Sequence, residues 1–289
     1  MLTIENAIQS FNQYLDKASI PKNPSNLYEP VSYMMSLGGK RLRPALLLIS
    51  GSMFGNLNDS AYKLALAVEW FHNFTLMHDD IMDNADLRRG KTTVWKKYDL
   101  NTGILSGDVM LLQAFQYINS IEDKEKLPAI LTAFNKAATL VCEGQQEDID
   151  YEKRNDVNAD EYLSMIGKKT AALLACSLQM GAMINSAEDF VAKALYDFGW
   201  NLGVAFQLKD DYLDAYGDPE KFGKKKGGDI LMNKKTFLLI KAQELAKGKN
   251  ESLLNKMLKI TDDSDEKIEE ILDLYDKLNI EKITRETIL

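Results

Sequence analysis

Cysteine, histidine and proline are scarce in this chain, and each scarcity excludes something. The two cysteines, Cys142 and Cys176, lie in apolar helix-periodic stretches. They are expected to be reduced core residues, with no disulfide or zinc role. The two histidines, His72 and His78, do not complete a zinc site with the partners available. Of the six prolines, Pro128 alone interrupts the chain between Pro44 and Pro219, which leaves room for long helices. Positive charge is also in deficit. Lys and Arg total 35 against 43 Asp and Glu, a net charge of −8, which argues against a nucleic-acid or anionic-membrane surface. The longest mostly apolar run, Ala171 to Ile184, is interrupted by Ser177 and Gln179 and is too short to span a bilayer. The N-terminus, Met1-Leu-Thr-Ile-Glu-Asn, lacks the charged-then-apolar layout of a signal peptide, so a cytoplasmic protein is expected. No glycine-rich nucleotide loop is present.

What is present reads as helix almost throughout. Residues 3–17 carry Ile4, Ile8, Phe11 and Leu15 at spacings of three and four. Pro21, Pro24 and Pro30 then break the pattern, a second helix runs over about 28–37, and Gly38-Gly39 ends it. A third covers 45–53. Further helical patterns cover about 60–84, 91–98, 104–120, 128–150, 159–167, 169–185 and 188–216. The stretch after Thr236 reads as two or three amphipathic helices forming a solvated outer layer. Strand alternation is hard to find, so the fold class is all-α. No Gly/Ser/Pro-rich linker separates two apolar blocks, so one domain over residues 1–289 is expected.

Two acidic clusters organise the chain, Asp79-Asp80-Ile-Met-Asp83 and Asp210-Asp211-Tyr-Leu-Asp214. Spacings of three and four share a helix face, so each cluster gathers three carboxylates on one turn. Like charges that close repel unless a cation intervenes, and hard oxygen ligands suit Mg²⁺ with substrate phosphates in its remaining positions. Apolar residues closely flank both clusters, unlike Asp262-Asp263-Ser264-Asp265-Glu266, which reads as a helix N-terminus. Cations recur beside them: Lys40 and Arg43, Arg88 and Arg89, Lys169, and Lys224 and Lys234. Two phosphate sites, one through metal and one through Arg and Lys directly, would account for the set. His72 lies on the face of Asp79 two turns away, roughly 10 Å by helical rise, within reach of a phosphate. His78 reads as packing beside the cluster. The lysine- and glycine-rich stretch 222–229 reads as a cationic flap.

Gly38-Gly39-Lys40-Arg41-Leu42-Arg43-Pro44, Asp79-Asp80-x-x-Asp83 with Arg88-Arg89-Gly90, Lys169-Thr170, Phe206-Gln207-x-x-Asp210-Asp211-x-x-Asp214, and Gly223-Lys224 with Asn233-Lys234 stand in the order found in the trans-prenyl diphosphate synthases. The chain resembles that family, the farnesyl and geranylgeranyl diphosphate synthases. The resemblance implies a helical bundle around a deep central apolar cavity, a homodimer, and three Mg²⁺ ions. It implies that Asp79, Asp80, Asp83, Asp210 and Asp214 hold Mg²⁺ and through it an allylic diphosphate, with Asp211 one step removed. Arg88, Lys169, Thr170, Gln207 and Lys234 would contact the allylic substrate. Lys40, Arg43, His72 and Arg89 would bind isopentenyl diphosphate, and Lys224 would help close the flap.

Product length is then set by what lies before Asp79. Phe74 is five residues back, roughly 7–8 Å deeper by helical rise, and Phe71 about a turn below it. With the small Thr75 beside it, Phe74 as the floor implies a C20 product, and Phe71 would shorten this to C15. A terpene cyclase would need neither the second cluster nor the Gly-Gly-Lys-x-x-Arg site. An inactive synthase subunit would typically have lost acidic residues that are intact here.

Overall fold

The structure is a computed structural model that describes residues 2–218, 227–260 and 264–289. It is all-α apart from one short hairpin among the described residues. By their internal packing, residues 1–136 with 173–198 make one compact unit and residues 137–172 with 199–289 a second.

The first unit begins with α1 (Ile4–Leu15), α2 (Ser25–Ser36) and α3 (Leu42–Ser52). Pro24 caps α2, and Pro30 lies inside that helix, buried. The expected break at Pro30 is therefore displaced, because the helix absorbs one missing N–H within its second turn. Next comes α4 (Asp59–Met82), started by the Asn58 side chain, which accepts from the backbone N–H of Ala61 at 3.0 Å. Almost every residue of α4 from Leu64 to Phe74 is buried, so it runs as a central helix with apolar groups on most of its circumference. It ends at the first acidic cluster, with Asp83 as its C-terminal cap and Asn84 at φ 50° beyond it.

A hairpin follows where helix was expected from residue 91. β1 (Leu87–Arg88) pairs antiparallel with β2 (Lys91–Thr92), Leu87 opposite Thr92. Both turn residues are left-handed, Arg89 at φ 54° and Gly90 at φ 73°. A two-residue turn of this hand matches strand twist, and Gly90 adopts it at no steric cost. Helix then resumes only as α5 (Val94–Lys97), followed by α6 (Leu100–Asn119). α6 packs along α4, and a Cβ at Gly107 would collide with the His78 ring. α7 (Leu127–Glu152) starts in this unit, and α9 (Ala172–Ile184) packs on α3, where the Ser50 hydroxyl donates to the Leu178 carbonyl at 2.6 Å. A Cβ at Gly181 would strike the Leu47 carbonyl, so glycine sets this helix separation.

The second unit holds the end of α7, α8 (Ala159–Ile166), a π-helical turn over Gly167–Ala171, and the last turns of α10 (Asp189–Tyr216). After the undescribed residues come α11 (Gly228–Leu231), α12 (Phe237–Leu245), α13 (Lys249–Met257), α14 (Asp265–Lys277) and α15 (Ile280–Ile288). These are more than the solvated layer expected. Leu254, Met257, Ile268, Ile271, Leu274, Tyr275 and Ile280 form one buried cluster with Leu238, Leu239 and Ala242. Each such side chain contributes about 2 kcal/mol on burial. The charged residues of these helices mask the apolar stripe in any average over the segment. Ser264 caps α14, as the acidic run around it implied.

Cys176 is buried as expected, but Cys142 is exposed, because its position on α7 faces away from the apolar stripe. Among the described residues no helix is long and apolar enough to cross a membrane.

Candidate active site

The first acidic cluster closes α4, and its three carboxylates have different surroundings. Asp79 is half-buried and Asp83 exposed. Asp80 is 1% exposed and is held by Arg88, whose Nε and Nη2 both donate to Oδ1, at 2.9 and 2.6 Å. The second Asp80 oxygen is buried with no hydrogen-bond partner. Burial pushes the Asp80 carboxyl above its ordinary pKa, and Arg88 opposes that shift. Arg88 also lies 3.6 Å from Asp79. The hairpin therefore delivers Arg88 back onto the helix end, with Asp80 as its anchor.

A cation cluster lies in the same unit. Arg43 Nη1 stands 3.3 Å from His72 Nε2. Burial first, and then Arg43, Arg89, Arg88 and Arg41, hold His72 well below its ordinary pKa. The imidazole is neutral, so it accepts from Arg43 at Nε2. The hairpin turn brings Arg89 to the Gly38 carbonyl, to which it donates, and a Cβ on Gly39 would crowd the Arg89 guanidinium. Gly38 and Gly39 lie at φ 77° and 143°, backbone that favours glycine. Lys40 is exposed on the same turn. The turn that carries Lys40 and Arg43 is thus met by Arg89 from the hairpin and, through Arg43, by His72 of α4.

The second cluster repeats the division of labour. Asp210 and Asp214 are half-buried, whereas Asp211 is 4% exposed. Tyr162 donates to Asp211 Oδ2 at 2.5 Å and Gln207 Nε2 to Oδ1 at 3.1 Å. The other end of that amide, Gln207 Oε1, accepts from the Thr170 hydroxyl at 3.2 Å. Burial lifts the Asp211 carboxyl to about 6, against the pull of these two donors. Thr170 and Lys169 sit in the π-helical turn, a local widening frequent at functional sites. Lys169 Nζ is 2.5 Å from Asp148 of α7, and a Cβ on Gly144 would collide with the Lys169 backbone. Asp214 Oδ2 accepts from the Asp229 backbone at 2.9 Å, and Lys234 lies 3.7 Å from the Asp229 carboxylate. Lys224 lies outside the described residues.

Phe74 is buried, with its ring centroid 5.5 Å from Phe71 and 4.8 Å from His78. Phe71 is fully buried and meets Phe134 edge-on at 5.3 Å. Thr75 is half-buried and its hydroxyl donates to the His72 carbonyl. His78 caps this aromatic stack and approaches the Ile104 carbonyl at 3.0 Å.

Sequence reasoning missed Asp148, Tyr162 and Asp229, which touch Lys169, Asp211 and Asp214 from distant positions and carry no motif of their own. It also missed Glu69, which has a readable signal: a carboxylate inside the apolar run Ala65–Phe74.

The chain matches the polyprenyl synthetase family over residues 24–275. It is 38% identical over 277 residues to the geranylgeranyl diphosphate synthase of Sulfolobus acidocaldarius, covering 95% of this chain and 84% of that protein. It is 42% identical over 228 residues to the corresponding enzyme of Saccharolobus solfataricus, covering 78% and 69%. A crystal structure of a geranylgeranyl pyrophosphate synthase aligns with a TM-score of 0.94 at 46% identity, over 100% of this chain and 89% of that one. The geranylgeranyl pyrophosphate synthetase of Pyrococcus horikoshii aligns with a TM-score of 0.88 at 34% identity, covering 99% and 84%.

Proposed function

The chain belongs to the polyprenyl synthetase family, and from that premise we propose that it condenses isopentenyl diphosphate head-to-tail with allylic diphosphates of five, ten and fifteen carbons to give geranylgeranyl diphosphate. The observation that carries the reading is the coexistence of two carboxylate clusters with a separate cation pocket. One diphosphate needs metal to leave, and the other is only held. A cyclase has a single diphosphate to bind and no use for the turn at Lys40, Arg43, His72 and Arg89.

The donor set fits magnesium. It offers hard carboxylate oxygens only, with Asp79, Asp83, Asp210 and Asp214 all at least partly accessible. Asp80 belongs to the proposed metal-binding cluster chiefly through Arg88, since its Oδ1 is committed to that guanidinium. Three Mg²⁺ ions, the number the family resemblance implies, would be held by these residues and would supply positive charge against the departing diphosphate.

The chain's own residues do the rest. Arg88 and Lys169 bind the allylic diphosphate, Lys234 adds charge, and Gln207 and Thr170, hydrogen-bonded to each other, contact the allylic substrate. The allylic C–O bond breaks with its electron pair leaving on the diphosphate. The isopentenyl double bond attacks the resulting cation, forming the new C–C bond. A proton is then lost to the released diphosphate, and the new double bond forms. Lys40, Arg43, His72 and Arg89 hold isopentenyl diphosphate throughout. Phe74, backed by Phe71 and flanked by Thr75, stops the growing chain at C20. We further propose one isoprenoid synthase domain over residues 1–289, acting in the cytoplasm as a homodimer. The exposed Leu105 and Leu112 of α6 support a subunit contact.

The test is product analysis with labelled isopentenyl diphosphate, Mg²⁺ and each allylic starter in turn. A C20 product is expected. Termination at C15 would make Phe71 the floor, and no condensation by folded protein would overturn the assignment.

A further inference from the structure

The turn that carries Lys40 and Arg43 is tied down from behind by a group with no direct role in the proposed chemistry. Arg41, between those two cations, is buried and left-handed at φ 52°, where it precedes the first turn of α3. A non-glycine residue in that region costs on the order of 1 kcal/mol and persists only where its surroundings hold it. Two contacts hold this one. Arg41 Nη1 donates to Glu69 Oε1, and Nη2 donates to the Met35 carbonyl at 3.2 Å.

Glu69 is 2% exposed on α4, three residues before His72 and therefore on the same side of the helix. It is itself held, because Asn73 Nδ2 donates both to its carboxylate at 3.1 Å and to its backbone carbonyl at 2.8 Å. A rigid line of contacts therefore runs from α4, through Glu69 and Arg41, into the turn. On the far side the turn is met by Arg89 at Gly38, and Arg43 leaves it to reach His72. An isolated buried carboxylate would be too costly to keep, and Arg41 is its charge partner.

We propose that Glu69 is a positioning residue for the condensation: through Arg41 it fixes the Gly38–Arg43 turn, so that Lys40 and Arg43 are set for the diphosphate of isopentenyl diphosphate before that substrate arrives. This rests on assigning Lys40, Arg43, His72 and Arg89 to that diphosphate.

Electrostatics alone predicts the opposite sign. Glu69 is an anion near several arginines, and neutralising it makes the pocket more positive. If charge were its whole contribution, Glu69→Gln would bind a diphosphate more tightly. A positioning role predicts weaker binding, because the turn loses its anchor.

The experiment measures KM for isopentenyl diphosphate, KM for the allylic substrate and kcat in wild type, Glu69→Gln and the double variant Arg41→Gln/Glu69→Gln. Calorimetric binding of isopentenyl diphosphate and a thermal melt accompany each. Glu69→Gln should raise KM for isopentenyl diphosphate about tenfold, with the allylic KM and kcat within about twofold. The double variant should show the same rise, because both changes break one connection. Where Glu69→Gln alone leaves Arg41 unpaired and does not fold, the double variant, which removes both charges, carries the test. Unchanged or tighter binding of isopentenyl diphosphate overturns the positioning role, as does an equal rise in both KM values. Failure of wild type to bind isopentenyl diphosphate would instead overturn the assignment of the pocket.

Discussion

Replacing Asp211 by asparagine should change the pH dependence of stability in a direction the structure dictates. The carboxyl titrates at about 6 in the folded protein, against an ordinary 3.8, because burial penalises its charge. Between these values the folded protein binds the proton and the unfolded chain does not. Stability therefore falls as pH rises through that window, and below pH 3.8 the group contributes nothing. The full term is about 3 kcal/mol, from roughly two pH units at 1.36 kcal/mol each. Over the accessible range from pH 5 to pH 8 it amounts to about 1.4 kcal/mol, tenfold in the folding equilibrium.

The Asp211→Asn change removes the titration but adds a mismatch. The new amide can still accept from Tyr162, while its NH₂ faces the Gln207 NH₂ that Asp211 Oδ1 binds in the wild type. That mismatch costs about 1–2 kcal/mol at every pH. Urea unfolding in chelator should therefore place the variant below wild type at pH 5, with the gap closing by about 1.4 kcal/mol by pH 8. Catalysis should fall at all pH values, because Gln207 loses the partner that aims it toward Thr170. Parallel stability curves for the two proteins across this range would refute the reasoning.

Asp80→Asn should lower kcat/KM for the allylic substrate by about a hundredfold while moving the Mg²⁺ concentration for half-maximal rate by less than about threefold, because its principal partner is Arg88. Asp83→Asn should instead raise the magnesium requirement more than about tenfold; an equal shift in the two variants would show Asp80 to be a ligand as well. Phe74→Ala should extend the product beyond C20 on chromatography. Phe71→Ala, which leaves a hole between Phe74 and Phe134, should cost about 3–5 kcal/mol in urea unfolding. Gly144→Ala would force a methyl into the backbone of Lys169, and a loss of about 1–3 kcal/mol on thermal unfolding is expected.

The helices were legible because apolar periodicity is a local property. Long stretches of α4, α6, α7 and α10 each repeat it without a proline in the interior. The hairpin at 87–92 was not legible, since two-residue strands carry no period and Arg89-Gly90 lacks the Asn or Asp that marks a two-residue turn. The buried face of the last four helices was hidden by the many charges interspersed with it in sequence. Cys142 was misplaced because an apolar neighbourhood in sequence does not say which way a helix face turns.

At the site, the sequence by itself determined which residue types are available: two turns of three carboxylates, and enough Arg, Lys and His for two diphosphates. Spacing alone treats the three aspartates of each turn alike. Tertiary structure separates them. Asp80 is buried against Arg88 and Asp211 against Tyr162 and Gln207, while Asp79, Asp83, Asp210 and Asp214 retain access to solvent. That division depends on partners as far as 49 residues away, and on burial, which raises the cost of an unpaired charge. Sequence periodicity carries information over one or two helical turns. The desolvation that makes one carboxylate a buried anchor and leaves its neighbour open to solvent is decided only when distant segments pack.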